Sequence, residues 1–147
     1  SQSHSQCVEG KSWLGGKDKL ILKTMKPNLV ETLKRGPVNF VTKTWGSETW
    51  YICSEKENLC GKSLLVRRGE GFKPHLHRDK FEIFVIISGA IKLTLTDTSD
   101  RSKHEGVLVK GDIIDINRML PHAIEALEDT EILEISTFHR EEDSYRI

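Results

Sequence analysis

The sequence predicts an all-β sandwich or barrel, and three observations predict it. Short runs rich in β-branched and aromatic residues recur at close intervals from Val38 to Thr137. Gly, Pro and Asp punctuate those runs at the places where a chain must reverse. Several runs alternate apolar and polar residues, most regularly Ile91-Lys92-Leu93-Thr94-Leu95-Thr96. A closed or double-sheet architecture also removes most of the edges that so many strands would otherwise expose.

The whole-chain quantities fit one such domain. A chain of 147 residues can bury a core of its own. Lys plus Arg and Asp plus Glu number 22 each, so no global field draws in nucleic acid or an anionic membrane. A charged fraction of 30% with 37% hydrophobic residues reads as soluble and globular. No apolar run approaches the roughly 20 residues that span a bilayer, and no secretory signal is visible. A cytoplasmic location is the expectation. The cysteines, Cys7, Cys53 and Cys60, are odd in number and lack motif spacing, which argues against a disulfide framework and for reducing surroundings. Cys53 and Cys60 could nevertheless meet across a hairpin built on Ser54 to Leu59. The opening Ser1-Gln2-Ser3-His4-Ser5-Gln6 lacks a starting Met, so a processed product or one domain of a longer protein stays open.

Taken in order, residues 1–26 carry no clear period and read as an arm or linker, with the domain proper over 27–147. Asn28 can cap a short helix with Glu31 at its third position, and Leu29, Val30 and Leu33 share one face. Gly36 and Pro37 end it. Strands follow at Val38 to Thr44, Thr49 to Cys53, Lys62 to Arg67 and His75 to His77. Glu82 to Ser88 and Ile91 to Thr96 flank the reversal at Gly89-Ala90, and Asp97 to Gly106 reads as a polar loop. Val107 to Val109, Ile113 to Ile116, His122 to Leu127 and Glu131 to Thr137 complete the set.

The chemistry concentrates between Gly69 and Gly89. His75 and His77 are one residue apart, so an extended strand points both imidazoles to one face. Glu82 follows five residues later, the wrong parity for one continuous strand. The polar segment Arg78-Asp79-Lys80 reads as a turn, and a turn resets that parity. Far along the chain, Pro121-His122 opens another strand where a histidine can face a cavity. Three imidazoles and a carboxylate make a divalent-metal site of borderline softness.

The spacing Gly69, five residues, His75-Leu76-His77, four residues, Glu82, six residues, Gly89 resembles the first motif of the cupin superfamily at every signature position. Gly111 to Ala126 resembles the second motif, with His122 at its histidine position. Asn117, Met119 and Ala126 depart from the usual Pro, Gly and Asn. The resemblance implies a double-stranded β-helix jelly roll (a cupin barrel) with the short N-terminal helix ahead of it. It also implies one divalent metal ion (Mn, Fe, Zn or Ni) held by His75, His77, Glu82 and His122. A narrower resemblance, to small cupins of the phosphomannose isomerase and lyxose isomerase kind, rests on Trp45-Gly46-Ser47-Glu48-Thr49-Trp50, Glu134-Ile135-Ser136-Thr137 and Asp143-Ser144-Tyr145-Arg146.

That narrower resemblance implies a metal-dependent isomerase of a sugar or sugar phosphate, working through an enediolate. Such a reaction needs a base that is not a metal ligand. Glu134, a carboxylate within an apolar strand, is one candidate, and Lys73, which shares strand parity with His75 and His77, is the other. Trp45, Lys62 and Arg67 are candidate substrate contacts, although Trp45 also suits a core aromatic and the two cations a solvated strand face. His139 reads as a surface residue after the last strand. Two other readings stay open: an Fe(II)-dependent dioxygenase, or a non-catalytic sugar-binding or accessory domain of a larger protein. Small-molecule ligands, no nucleic acid, no membrane and a homodimer complete the expectations.

Overall fold

The computed structural model describes residues 15–17 and 28–147. Most of the expected arm, with Cys7, therefore lies outside the described residues. The chain forms two units, Ser1–Arg35 and Gly36–Ile147. In the first, helix α1 spans Leu29–Leu33. The expected Asn28 cap is not made: its φ of −99° and ψ of 25° are not the extended geometry of a cap, and its side chain bonds no helix N–H. Glu31 instead pairs with Lys34 Nζ at 2.8 Å. Val30 and Leu33 are exposed.

The second unit holds eleven strands: β1 (Asn39–Lys43), β2 (Gly46–Ser54), β3 (Leu59–Val66), β4 (Gly71–Leu76), β5 (Glu82–Ser88), β6 (Ala90–Thr96), β7 (Lys103–Val109), β8 (Ile113–Ile116), β9 (His122–Ala126), β10 (Thr130–Ser136) and β11 (Tyr145–Arg146). All pairings are antiparallel, in a six-stranded sheet ordered β1-β2-β3-β10-β5-β8 and a five-stranded sheet ordered β11-β4-β9-β6-β7. This is a double-sheet jelly roll. The expected loop at Asp97 to Gly106 is shorter than its composition suggests, because Lys103 to Gly106 pair with Leu93 to Thr96.

Alternation along the strands builds the interior. On β3 the inward positions are Cys60, Lys62, Leu64 and Val66, on β10 Thr130, Ile132, Glu134 and Ser136, and on β5 Glu82, Phe84 and Ile86. Leu64, Val66, Phe84, Ile86 and Ile132 meet Ile91, Leu93, Ile124 and Ala126 of the other sheet in one apolar cluster. On all three strands the inward row turns from apolar to charged toward the same end. The barrel therefore has a greasy half and a polar half.

Two glycines hold the frame where no side chain fits. Gly89, at φ +87°, joins β5 to β6, and a Cβ there would stand 2.5 Å from the Asp129 carbonyl oxygen. A Cβ on Gly71 would run into the Ile124 carbonyl, so alanine would pry β4 from β9.

Candidate metal centre

The two sheets deliver the four expected donors to the polar half. His75 on β4 lies directly opposite His122 on β9, and His77 follows the end of β4. Glu82 opens β5 in the facing sheet. The turn at Arg78-Asp79 thus resets strand parity by carrying the chain from one sheet to the other.

Each imidazole is oriented by a backbone carbonyl. The Nδ1 atoms of His75, His77 and His122 lie 3.0, 2.8 and 2.9 Å from the carbonyls of Lys73, Asp143 and Leu120. A carbonyl only accepts, so each Nδ1 carries the proton and each Nε2 keeps a bare lone pair. One ligand nitrogen from each of the three lies within 4.8 Å of the others. Burial, then the neighbouring His122, lowers His75 to about 4, and burial with Lys80 lowers His77 as well. Neutral imidazoles are the form that coordinates.

Glu82 completes the group. Its Oε2 stands 3.1 Å from His122 Nε2, and its Oε1 stands 3.7 Å from His77 Nε2. Burial opposes its ionisation, but the Lys80 ammonium, 2.7 Å from Oε1, outweighs that and holds the carboxyl below the usual carboxylate range. Glu82 Oε2 and His122 Nε2 are both buried, and neither has a hydrogen-bond partner. Two inward lone pairs at that separation call for a cation between them. The donors fit a divalent ion.

Lys80, which the sequence suggested only as part of a turn, is folded inward and is 3% exposed. Its Nζ lies 2.7 Å from Glu82 Oε1, 3.0 Å from His139 Nδ1 and 3.5 Å from Glu134 Oε2. Burial disfavours the ammonium, but Glu134 and Glu82 more than compensate and raise its pKa. His139 is correspondingly not a surface residue. It accepts from Lys80, gives its Nε2 proton to Glu141 at 3.0 Å, and burial with Lys80 and Lys62 lowers it to about 4. Asp143 explains how the turn is held, since its carboxylate accepts the N–H groups of Arg78, Asp79 and Lys80 at 2.9 to 3.2 Å.

A cavity of about 190 Å³ opens onto these groups. Trp45, Lys62 and Glu134 line it together with the three histidines and Glu82. Trp45 is also a core aromatic, edge-on to Phe72 at 6.1 Å. Glu134 is buried, its Oε2 makes no hydrogen bond, and burial pushes its carboxyl up. Lys73 and Arg67 do not join the group. A register shift between Phe72 and His75 breaks the parity that Lys73 relied on, and its side chain is exposed. Arg67 sits five residues from the inward Lys62, on the opposite face, where it donates to the Thr44 carbonyl. Cys53 and Cys60 are direct cross-strand neighbours on β2 and β3, and both are free thiols.

Residues 64–138 match the cupin domain family, and the chain belongs to that family. No curated protein matches the sequence. Among solved structures, the chain is similar to the capsular polysaccharide assembling protein CapF from Staphylococcus aureus, with TM-score 0.66 and 22% identity over 80% of this chain and 34% of that one. It is also similar to Bacillus subtilis oxalate decarboxylase, a protein with Mn(II) centres, with TM-score 0.64 and 20% identity over 74% of this chain and 30% of that one. The chain spans about a third of the length of each neighbour. At these identities the likeness shows the fold. No helix among the described residues is long and apolar enough to cross a membrane.

Proposed function

We propose that this chain is a metal-dependent sugar isomerase, with His75, His77, His122 and Glu82 as ligands and Glu134 as the base. The observation that supports it most is Glu134 itself. A buried carboxylate of raised pKa, with one oxygen that makes no hydrogen bond, faces the same small cavity as the metal donors. Elevated basicity at a positioned carboxylate is what proton abstraction next to a carbonyl requires.

A divalent ion at the histidines would supply Lewis acidity for the substrate's carbonyl and neighbouring hydroxyl oxygens. Glu134 takes the proton from the carbon beside the carbonyl and returns it to the former carbonyl carbon. A second proton passes from the hydroxyl oxygen to the carbonyl oxygen, so the substrate leaves with its atoms rearranged and none lost. The Lys80 ammonium, 3.5 Å from Glu134, offsets the charge on the carboxylate before it takes the proton and after it has returned it. Trp45 lines the same cavity.

The test is anaerobic incubation of protein loaded with Mn(II) or Zn(II) with aldoses and ketoses in D2O, followed by NMR. Interconversion with deuterium entering at the carbon next to the carbonyl is expected. Turnover that needs Fe(II) and consumes oxygen would instead establish the dioxygenase reading, and a complete absence of exchange the binding-domain reading. The expected homodimer has a suitable surface in Phe40, Leu65, Ile113 and Ile135, exposed on the outer face of the six-stranded sheet. A monomeric mass by light scattering at micromolar concentration rules it out.

A further inference from the structure

One wall of the cavity carries buried charges that the metal centre does not use. Glu48 on β2 and Lys62 on β3 are 7% and 2% exposed, and both line the cavity. Lys62 Nζ stands 3.6 Å from Glu48 Oε1 and 4.0 Å from Glu134 Oε2, beyond hydrogen-bond distance in both cases. The ammonium is held there by the Trp50 ring, 3.8 Å from its centroid. Buried ion pairs are favourable only when hydrogen bonds satisfy the remaining lone pairs and protons. On this wall they do not, and Glu134 Oε2 has no hydrogen-bond partner.

We infer that Glu48 and Lys62 form a hydroxyl-recognition subsite for the polyol end of an uncharged sugar, and that they discriminate against its phosphate ester. A sugar hydroxyl donates and accepts at once, so one hydroxyl can give its proton to Glu48 while a neighbour accepts from Lys62. A phosphate finds worse company. The Lys62 ammonium is flanked by two carboxylates, Lys80 is taken up by Glu82 and Glu134, and Lys43 is itself paired with Glu48 at 3.6 Å, while the exposed Arg146, the remaining cation of the lining, donates to the Lys73 carbonyl. The strands that carry the pair are neighbours, with Lys62 directly opposite both Trp50 and Glu134, so the spacing of the groups is fixed by sheet register. The subsite deepens the isomerase reading by naming the substrate as a free sugar, and it rests on that reading only for what happens at the other end of the ligand.

Sorbitol and sorbitol 6-phosphate test it, because neither has a carbonyl and binding is read without turnover. Calorimetry on Mn(II)-loaded protein should show sorbitol binding at least ten-fold tighter than its phosphate. Glu48→Gln and Lys62→Met should each weaken sorbitol ten-fold or more, with metal content by elemental analysis unchanged. Glu48→Gln should also narrow the gap between sorbitol and its phosphate, a change that mere loosening of the wall would not produce. No sorbitol binding by the wild type, equal or tighter binding of the phosphate, or unchanged affinity in whichever variants keep a native circular-dichroism spectrum overturns the subsite. Sorbitol binding that depends on Glu48, in a protein that interconverts no sugar, leaves the subsite standing and sinks the isomerase reading. Sugar turnover with an unchanged KM in Glu48→Gln does the reverse.

Discussion

His122 Nε2 and Glu82 Oε2 face each other at 3.1 Å across the two sheets, and neither makes a hydrogen bond. One belongs to β9 of the five-stranded sheet and the other to β5 of the six-stranded sheet. A cation placed between them ties the sheets together at the polar half, where the apolar cluster does not reach.

Metal binding should therefore act as a cross-brace. At a concentration of 100 times its Kd, Mn(II) should stabilise the protein by about 2.7 kcal/mol. His122→Ala should lower metal affinity by more than about 100-fold, beyond the 10–100-fold typical of outer-shell changes. Thermal denaturation with and without metal, together with elemental analysis, reads both effects. An unchanged melting curve with Mn(II) would remove the site.

Asp143 should be a stability residue that looks like a tail residue. Its carboxylate holds three successive N–H groups of the turn, and its carbonyl accepts from His77 Nδ1 at 2.8 Å. Asp143→Ala should cost roughly 2–4 kcal/mol, because the donors it leaves are expensive to strand. It should also weaken metal binding by about 10–100-fold through His77. Urea denaturation and metal titration of Asp143→Ala and Asp143→Asn decide it, and wild-type values for both variants would refute the account.

Lys80→Met should separate the two roles of the buried ammonium. Without metal it leaves Glu82 and Glu134 without their shared cation, a loss on the order of 3–5 kcal/mol. With metal bound, Glu82 regains a cation, so the loss should shrink. Equal destabilisation with and without Mn(II) would contradict this.

Acid should weaken the metal-free protein in a defined window. His75 and His139 sit at about 4 in the native state, against an ordinary 6.5. Between those values the unfolded chain binds protons that the native chain does not, so stability rises with pH and is lost as pH falls from about 6.5 toward 4. Glu134 works in the opposite sense: its raised pKa favours the native state at low pH, and that contribution fades as pH rises. Glu134→Gln should steepen the acid loss, and His139→Gln should flatten it. Chemical denaturation across pH 4–7 measures both slopes. Turnover by the metal-loaded protein should fall by about 10²–10⁴ in Glu134→Gln with metal content intact.

Much of this was legible in the linear chain because alternation is a local property. Leu64 and Val66, or Phe84 and Ile86, take their face from their nearest neighbours along the backbone, and so do His75 and His77. The same rule misplaces Lys73, because a register irregularity next to it is a property of the pair β4 and β9 and not of β4 alone. Lys80 was illegible for a different reason. A lysine in a polar turn ordinarily faces water, and only Asp143, 63 residues away, folds the turn so that Nζ points inward.

Periodicity and spacing, carried within short stretches of chain, were enough to read the all-β frame, the family and the grouping of His75, His77 and His122. The tertiary structure alone decided which charges share the cavity with those donors. Glu48, Lys80 and His139 meet Glu134 because strands distant in sequence pair in one register. Burying that many charges together is tolerable only when each is offset by another, and such compensation exists in three dimensions, not along the chain.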